Sequence, residues 1–141
     1  PDIDAERQML VATTGAQDSK ADNVLTAQAL IEAQRLVRRV PVGESVVEAI
    51  LHLVRNGRPE TSTIPEIPEQ VAWGPGPRAS QALMLAVRAR ALMEGRFAPS
   101  VDDVLVLAHP ILRHRMALTF AARAEGQMLD ALIDRLCQPL Q

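Results

Sequence analysis

The segment that decides the fold is WGPGPRASQALMLAVRARALMEGR, which covers residues 73–96. Two Gly-Pro pairs open it, and Pro77 suits the first position of a helix, where no backbone N–H is needed. Helix-forming residues then continue until Gly95, a typical residue to end a helix. The sequence therefore predicts a helix from Pro77 to Glu94.

Apolar residues follow this predicted helix at helical spacing. The stripe that we expect to be buried consists of Ala82, Leu85, Ala86, Ala89, Leu92 and Met93. Leu83, Met84 and Val87 widen it, so the helix is apolar on most sides. Such a helix is typical of the centre of a bundle, and we expect Leu85 to belong to the core.

Outside this segment, shorter helical patterns alternate with polar or proline-rich links. The predicted helices run from Asp4 to Thr14, from Thr26 to Pro41, from a capping box at Ser45–Glu48 to Gly57, from Ser100 to a break or kink at Pro110, and from Ala121 or Glu125 to Cys137. A polar connection is expected at residues 16–23. The five prolines between Pro59 and Pro77 predict a loop without helix or strand. Extended segments near Val40 and Met116 are candidates for a tiny two-stranded β-ribbon. The predicted fold class is therefore all-α, a small helical bundle.

The composition restricts the class of protein. The chain has 141 residues, of which 48% are apolar and 23% charged, and its formal net charge is −2. These values are typical of one globular domain rather than of a disordered chain. The slightly acidic balance disfavours nucleic-acid binding. No apolar run approaches the ~20 residues that cross a bilayer, and the polar first residues do not resemble a signal peptide.

The residue types also exclude or disfavour several kinds of site. Lys20 is the only lysine, and no Gly-x-x-x-x-Gly-Lys pattern contains it, so these residues hold no P-loop. The histidines His52, His109 and His114 lack the spacing of a zinc-binding helix, and Cys137 is the only cysteine, so no metal site is expected. A single cysteine is typical of a reducing, cytoplasmic compartment.

Arg78 is the residue with the sharpest functional interpretation. It follows the first position of the predicted central helix, where free N–H groups and the helix dipole attract anions, and its forked guanidinium suits phosphate oxygens. An exposed arginine after an ordinary turn would have the same local sequence, and residue chemistry alone favours that plainer interpretation. We expect the nearby Trp73 to anchor the loop rather than to bind a ligand.

A second basic segment is Arg113-His114-Arg115. It is a candidate interface with a neighbouring subunit, a nucleotide or an acidic partner. The alternative is a solvated link whose charge neutralises the C-terminal end of the preceding helix, and the sequence alone favours this alternative. The other arginines, which we expect to pair with carboxylates, are Arg88, Arg90 and Arg96.

Three stretches, taken together, resemble one known family. Residues 73–96, with a Gly-Pro-Arg-Ala turn and an alanine-rich helix ending in Gly-Arg, are followed by Pro-Ser-Val-Asp-Asp-Val at 99–104 and by Leu-Arg-His-Arg at 112–115. This order and spacing resemble the lid of MoxR-type AAA+ ATPases. Residues 1–7 resemble the end of that family's nucleotide-binding core. Gly76 departs from the family pattern, in which serine is frequent at this position.

The resemblance implies a role for each part of the chain. Residues 1–22 would be the end of the AAA+ core, and residues 23–141 would be the helical lid. Arg78 would be the sensor 2 residue, which contacts the γ-phosphate of ATP, with Gly76 and Pro77 beside it in the nucleotide-binding turn.

The same resemblance implies a longer, cytoplasmic protein that binds ATP and Mg²⁺ and forms a homo-hexamer. Its role would be chaperone-like maturation or activation of client proteins, including metal-cofactor insertion, and some clients would carry a von Willebrand factor A domain. The chain lacks an initiator methionine, and we expect it to be a piece of such a protein. Because the Walker A and B motifs are missing, we expect it to be inactive alone and to bind no cofactor alone.

Two other functions stay open at this stage. The chain could be a free-standing helical interaction module whose arginines bind an acidic partner. A Gly-x-x-x-x-Gly-Lys motif upstream in the gene would exclude that alternative. It could also bind nucleic acid through Arg35, Arg38 and Arg39, or through Arg113 and Arg115, although the acidic balance disfavours this. Salt-dependent binding to DNA would support it.

Overall fold

The computed structural model describes residues 1–15 and 22–140. The described helices and strands are α1 (Ile3–Thr13), α2 (Ala27–Arg39), α3 (Glu44–Asn56), α4 (Ile67–Gln70), β1 (Val71–Trp73), α5 (Pro77–Met93), α6 (Val101–Leu112), β2 (Ala117–Leu118), α7 (Phe120–Ala124) and α8 (Leu129–Cys137). A 3₁₀ turn over Gln138–Leu140 follows. The chain is divided into two compact units, Pro1–Glu32 and Ala33–Gln141. The all-α fold with a tiny β-ribbon is confirmed.

The first unit contains α1 and the start of α2. Asp2 caps α1, since its Oδ1 accepts a hydrogen bond from the Ala5 N–H at 2.8 Å. Thr26 caps α2 in the same way, its Oγ1 accepting from the Ala29 N–H at 3.1 Å. Both predicted helix starts are therefore confirmed to within a residue. Most of the predicted polar connection at residues 16–23 lies outside the described residues.

The core of the second unit is built around α5, which packs against α3 and α6, while α8 packs against α6. Leu53 of α3, Leu83 of α5, Leu112 of α6 and Ile133 of α8 are completely buried. Burial of this many large side chains is the main stabilising contribution of such a bundle. No described helix has both the length and the apolar character of a membrane span.

The predicted bounds of α5 are confirmed, but its predicted buried face is wrong. The residues of α5 that are buried are Ala79, Leu83, Val87 and Ala91. These lie four residues apart; Leu83 and Val87 were expected only to widen the buried stripe, and Ala79 and Ala91 were not part of it. Leu85, expected in the core, is only half-buried, and Met93 is 88% exposed. A helix that is apolar on two sides does not reveal from its own sequence which side faces the neighbours.

The β-ribbon exists, with a different first strand from the one expected. Val71 pairs with Leu118 and Trp73 with Ala117, in an antiparallel arrangement. The segment near Val40 is not part of it. The loop predicted for residues 59–77 therefore contains both a helix and a strand. Its prolines allow this because Pro68 lies in the first turn of α4, where no N–H is needed, and residues 69–74 contain no proline.

Three further helix boundaries differ from expectation. The helix α3 starts after Gly43 without a side-chain cap, so the predicted capping box at Ser45 is wrong. The helix α6 continues through Pro110 to Leu112, because proline lacks only one N–H donor and just two helical residues follow it. The expected last helix is two helices, separated at Gly126, whose φ of +80° ends α7.

A buried carboxylate, Asp103, joins the end of α5 to the start of α6. Its Oδ1 accepts from Arg90 Nε at 3.0 Å and from Arg96 Nη2 at 2.6 Å, and its Oδ2 accepts from the Ser100 N–H at 2.8 Å. The hydrogen bond from Arg96 holds the pKa of Asp103 at about 2, although burial alone would raise it. The expected ion pairs of Arg90 and Arg96 are confirmed.

The expected ion pair of Arg88 is wrong. Among the described residues Arg88 has no carboxylate partner; its Nη1 donates to the Arg38 carbonyl oxygen at 3.5 Å. Its Nε is buried without a partner in the described part of the chain.

The Asp103 cluster predicts acid sensitivity of a defined sign. Since its pKa is lowered in the folded state, its contribution to stability is complete above the unfolded-state pKa of ~3.9 and is lost as the pH falls towards 2. The loss amounts to about 2 kcal/mol of unfolding free energy. Urea unfolding of the wild type and of Asp103→Asn at about pH 6 and about pH 2.5 measures it. The wild type should lose more stability than the variant, and equal losses would contradict the assignment.

Candidate functional site

The turn that leads into α5 is fixed by a close approach to the end of α3. A Cβ at Gly74 would lie 2.7 Å from Arg58 Cα and closer still to the Gly57 carbonyl oxygen, so only glycine fits there. Arg58 Nε donates to the Pro75 carbonyl oxygen at 2.6 Å. Pro77 then takes the first helical position after Gly76. This turn holds the backbone at Arg78 in one position.

Two glycines of this turn provide a matched pair of substitutions. Gly74→Ala should destabilise the chain by about 1–3 kcal/mol, because the new methyl group meets backbone atoms of Gly57 and Arg58, directly after α3, that cannot move aside freely. Gly76→Ala should change stability by less than about 1 kcal/mol, since no atom lies within 4 Å of a Cβ there. Urea unfolding of both variants measures the difference. Equal stabilities would contradict the close packing of this turn against α3.

Pairing of the strands brings the second basic segment to the same place. Because β1 and β2 are antiparallel, the residues that follow Trp73 lie beside those that precede Ala117. A cleft of about 410 Å³ lies between them. It is lined by Trp73, Gly74, Gly76, Pro77, Arg78, Ala79, His114 and Arg115. Of the described residues that line it, none is a carboxylate, so the cleft is positively charged.

The cleft residues differ in how they are held. Arg78 is exposed and makes no side-chain hydrogen bond or ion pair with any described residue, so its guanidinium is available to an anion. Arg115 is half-buried, and its Nη1 donates to the Ile111 carbonyl oxygen at 2.7 Å and contacts His114 Nε2. This bond satisfies a carbonyl group at the end of α6, as expected if the segment neutralises that helix end.

Arg113 lies outside the cleft lining. Its Nε and Nη2 donate to the two carboxylate oxygens of Asp130 at 2.8 and 2.9 Å. These bonds lower the pKa of Asp130. Arg113 thus joins the end of α6 to α8 and has its charge balanced within the fold.

The structure therefore brings Gly76, Pro77, Arg78, His114 and Arg115 together and leaves Arg113 out. Trp73 was expected to anchor the loop, but it is 53% exposed and lines the cleft, so that expectation is wrong. The contribution of Arg58 was missed. It lies 17 residues from its partner Pro75, and no local pattern indicates such a contact.

Two other kinds of site, a metal site and a reactive cysteine, are not supported by the described residues. Nowhere among residues 1–15 and 22–140 do three metal-binding side chains gather. Cys137 is buried in the core, and this burial raises the pKa of its thiol, which disfavours the reactive thiolate.

Comparison with known proteins agrees with the fold described above. The AAA lid domain family matches residues 66–136, which include β1, the turn, α5, α6 and most of α8. The chain is 28% identical over 139 residues to Chaperone MoxR1 of Mycobacterium tuberculosis, covering 98% of this chain and 37% of that protein. It is 34% identical over 110 residues to the uncharacterized protein YeaC of Bacillus subtilis, covering 78% of this chain and 32% of that protein. The chain thus spans about a third of the length of these curated relatives.

A solved structure shows the same fold. It is the crystal structure of a protein from Cytophaga hutchinsonii that is assigned as an ATPase, and it matches 97% of this chain with a TM-score of 0.83 at 22% identity. The match covers 42% of that protein.

The helical bundle with a short ribbon, together with the family match over residues 66–136, defines an AAA lid domain. The chain belongs to the AAA lid domain family, as a lid region related to the MoxR chaperone-like ATPases.

Proposed function

We propose that this lid reports the nucleotide state of a MoxR-type ATPase through Arg78, acting as its sensor 2 residue. The observation that supports this proposal is an exposed guanidinium without a partner among the described residues, carried on a turn that Gly74 and Arg58 fix against α3. The turn fixes the backbone at Arg78, and this guanidinium can present its donors to a phosphate brought to the start of α5.

In this proposal the γ-phosphate of ATP, bound in the core of the same protein, accepts hydrogen bonds from Arg78. A guanidinium binds phosphate oxygens in a forked geometry, so the contact depends on where the terminal phosphate lies. Hydrolysis removes that phosphate from the nucleotide, and the lid is then free to shift as a rigid body against the core. Gly76 and Pro77 set the approach of the helix start to the nucleotide.

The wider assembly is part of the same proposal. Residues 1–22 would belong to the AAA+ core and residues 23–141 to the lid, within a cytoplasmic homo-hexamer. The full-length protein would hydrolyse ATP with Mg²⁺, whose carboxylate ligands would come from outside the cleft, because its described lining has none. One relative is named as a chaperone. The role that we propose for the full-length protein is chaperone-like maturation of client proteins, including metal-cofactor insertion and clients with a von Willebrand factor A domain.

The experiment that tests this function is to replace Arg78 in the full-length ATPase and to measure steady-state ATP turnover. The 141-residue chain alone is the accompanying negative control, since it contains no P-loop lysine motif. Loss of turnover in the full-length variant supports the sensor role, and unchanged turnover contradicts it.

A further inference from the structure

We infer that Arg115 is a second phosphate-binding residue, which together with Arg78 forms a two-arginine clamp on a polyphosphate chain. The inference rests on the proposed function, because it concerns the same cleft and the same ligand. Arg78 reaches the cleft from the start of α5, and Arg115 reaches it from the segment between α6 and β2.

The hydrogen bond to Ile111 leaves most of the Arg115 guanidinium available. Only Nη1 is engaged, by the Ile111 carbonyl oxygen and by His114. Its Nε and Nη2 donate to no other described residue. A guanidinium has five N–H donors in a planar fork, so a group tethered through one nitrogen can still present the others to an oxyanion. The tether also reduces the side-chain entropy that binding would otherwise cost.

Charge balance distinguishes Arg115 from three arginines of this unit, Arg113, Arg90 and Arg96. Arg113 is held by both carboxylate oxygens of Asp130, and Arg90 and Arg96 are held by Asp103. Those three cations are neutralised by neighbours. Arg78 and Arg115 line one cleft whose described residues include no carboxylate. Two uncompensated cations on the same cleft attract a multiply charged anion more strongly than either does alone.

The size of the cleft agrees with this ligand class. Its volume of about 410 Å³ is within the range of small-ligand sites. His114 adds a third nitrogen-bearing side chain to the lining, and the exposed ring of Trp73 forms another wall. A phosphate chain is the class of anion that offers separate charged oxygens to two arginines.

The test is a titration of the 141-residue chain with inorganic tripolyphosphate, followed by NMR of the backbone amides. The wild type should show saturable shifts at Arg78, His114 and Arg115. Arg115→Gln and Arg78→Gln should each weaken binding about fivefold or more. Arg113→Gln is the matched control, because it removes the same charge from a neighbouring position outside the cleft. It should change the affinity by less than about twofold.

Arg115→Gln removes no side chain of the buried core, so its fold should be retained, and thermal unfolding checks this. Arg115→Lys should bind with intermediate affinity, because it restores the charge without the fork.

The other outcomes would overturn either the two-arginine clamp or the whole anion-binding cleft. Wild-type affinity of Arg115→Gln together with weakened binding of Arg78→Gln would overturn the clamp and leave the role of Arg78 intact. Wild-type affinity of both variants, or no saturable shift in the wild type, would overturn the anion cleft as a whole. Equal weakening by Arg113→Gln would show that binding follows net charge alone, which also overturns the clamp.

Discussion

Arg78→Ala in the full-length ATPase is expected to lower ATP turnover by about 10- to 1,000-fold, because removal of a cation that stabilises phosphate charge has effects of this size or larger. The isolated lid should keep its stability, since Arg78 is exposed and bonded to no described side chain. Steady-state turnover of the purified full-length protein measures the first effect. Urea unfolding of the 141-residue chain measures the second.

Arg113→Ala is the control for this experiment. It removes the same charge, but the residue is bonded to Asp130 and lies outside the cleft. Its turnover should be close to that of the wild type. Wild-type turnover of Arg78→Ala, or an equal loss in both variants, would contradict a specific role of Arg78.

Leu83→Ala is expected to destabilise the chain by about 2–5 kcal/mol, the usual cost of a cavity at a fully buried leucine. Leu85→Ala, two residues away on the same helix, should cost about 1 kcal/mol or less, because Leu85 is half-buried beside Val37 and Arg38. Urea unfolding with a common m value gives both free energies.

The pair of leucine variants tests the orientation of α5 directly. The two substitutions remove the same atoms from the same helix, so helix propensity cancels between them. A larger loss for Leu85→Ala than for Leu83→Ala would mean that the stripe predicted from the sequence is the buried one. The position of Arg78 relative to the bundle would then be wrong as well.

Local signals in the sequence were sufficient for the elements that depend on them. Pro77 after Gly76 and Gly95 at the other end correctly marked α5, and Thr26 marked the start of α2. Such signals act through hydrogen bonds and dihedral angles within a few residues, so they can be recognised without knowing the rest of the fold.

Features that depend on distant partners could not be predicted in this way. The strand Val71–Trp73 pairs with residues 117–118, and Arg58 holds a carbonyl group 17 positions away. The sequence identified both Arg78 and the segment 113–115 as candidates, but treated them as separate features. The antiparallel ribbon brings Arg78 and Arg115 to one cleft. The sequence around each arginine does not indicate that the two residues lie close together.

The most direct measurement is a structure of the full-length ATPase with a non-hydrolysable ATP analogue. We expect the Arg78 guanidinium to lie at hydrogen-bond distance, about 3 Å, from an oxygen of the terminal phosphate. A structure in which Arg78 faces solvent or a carboxylate, with another residue in contact with that phosphate, would contradict it.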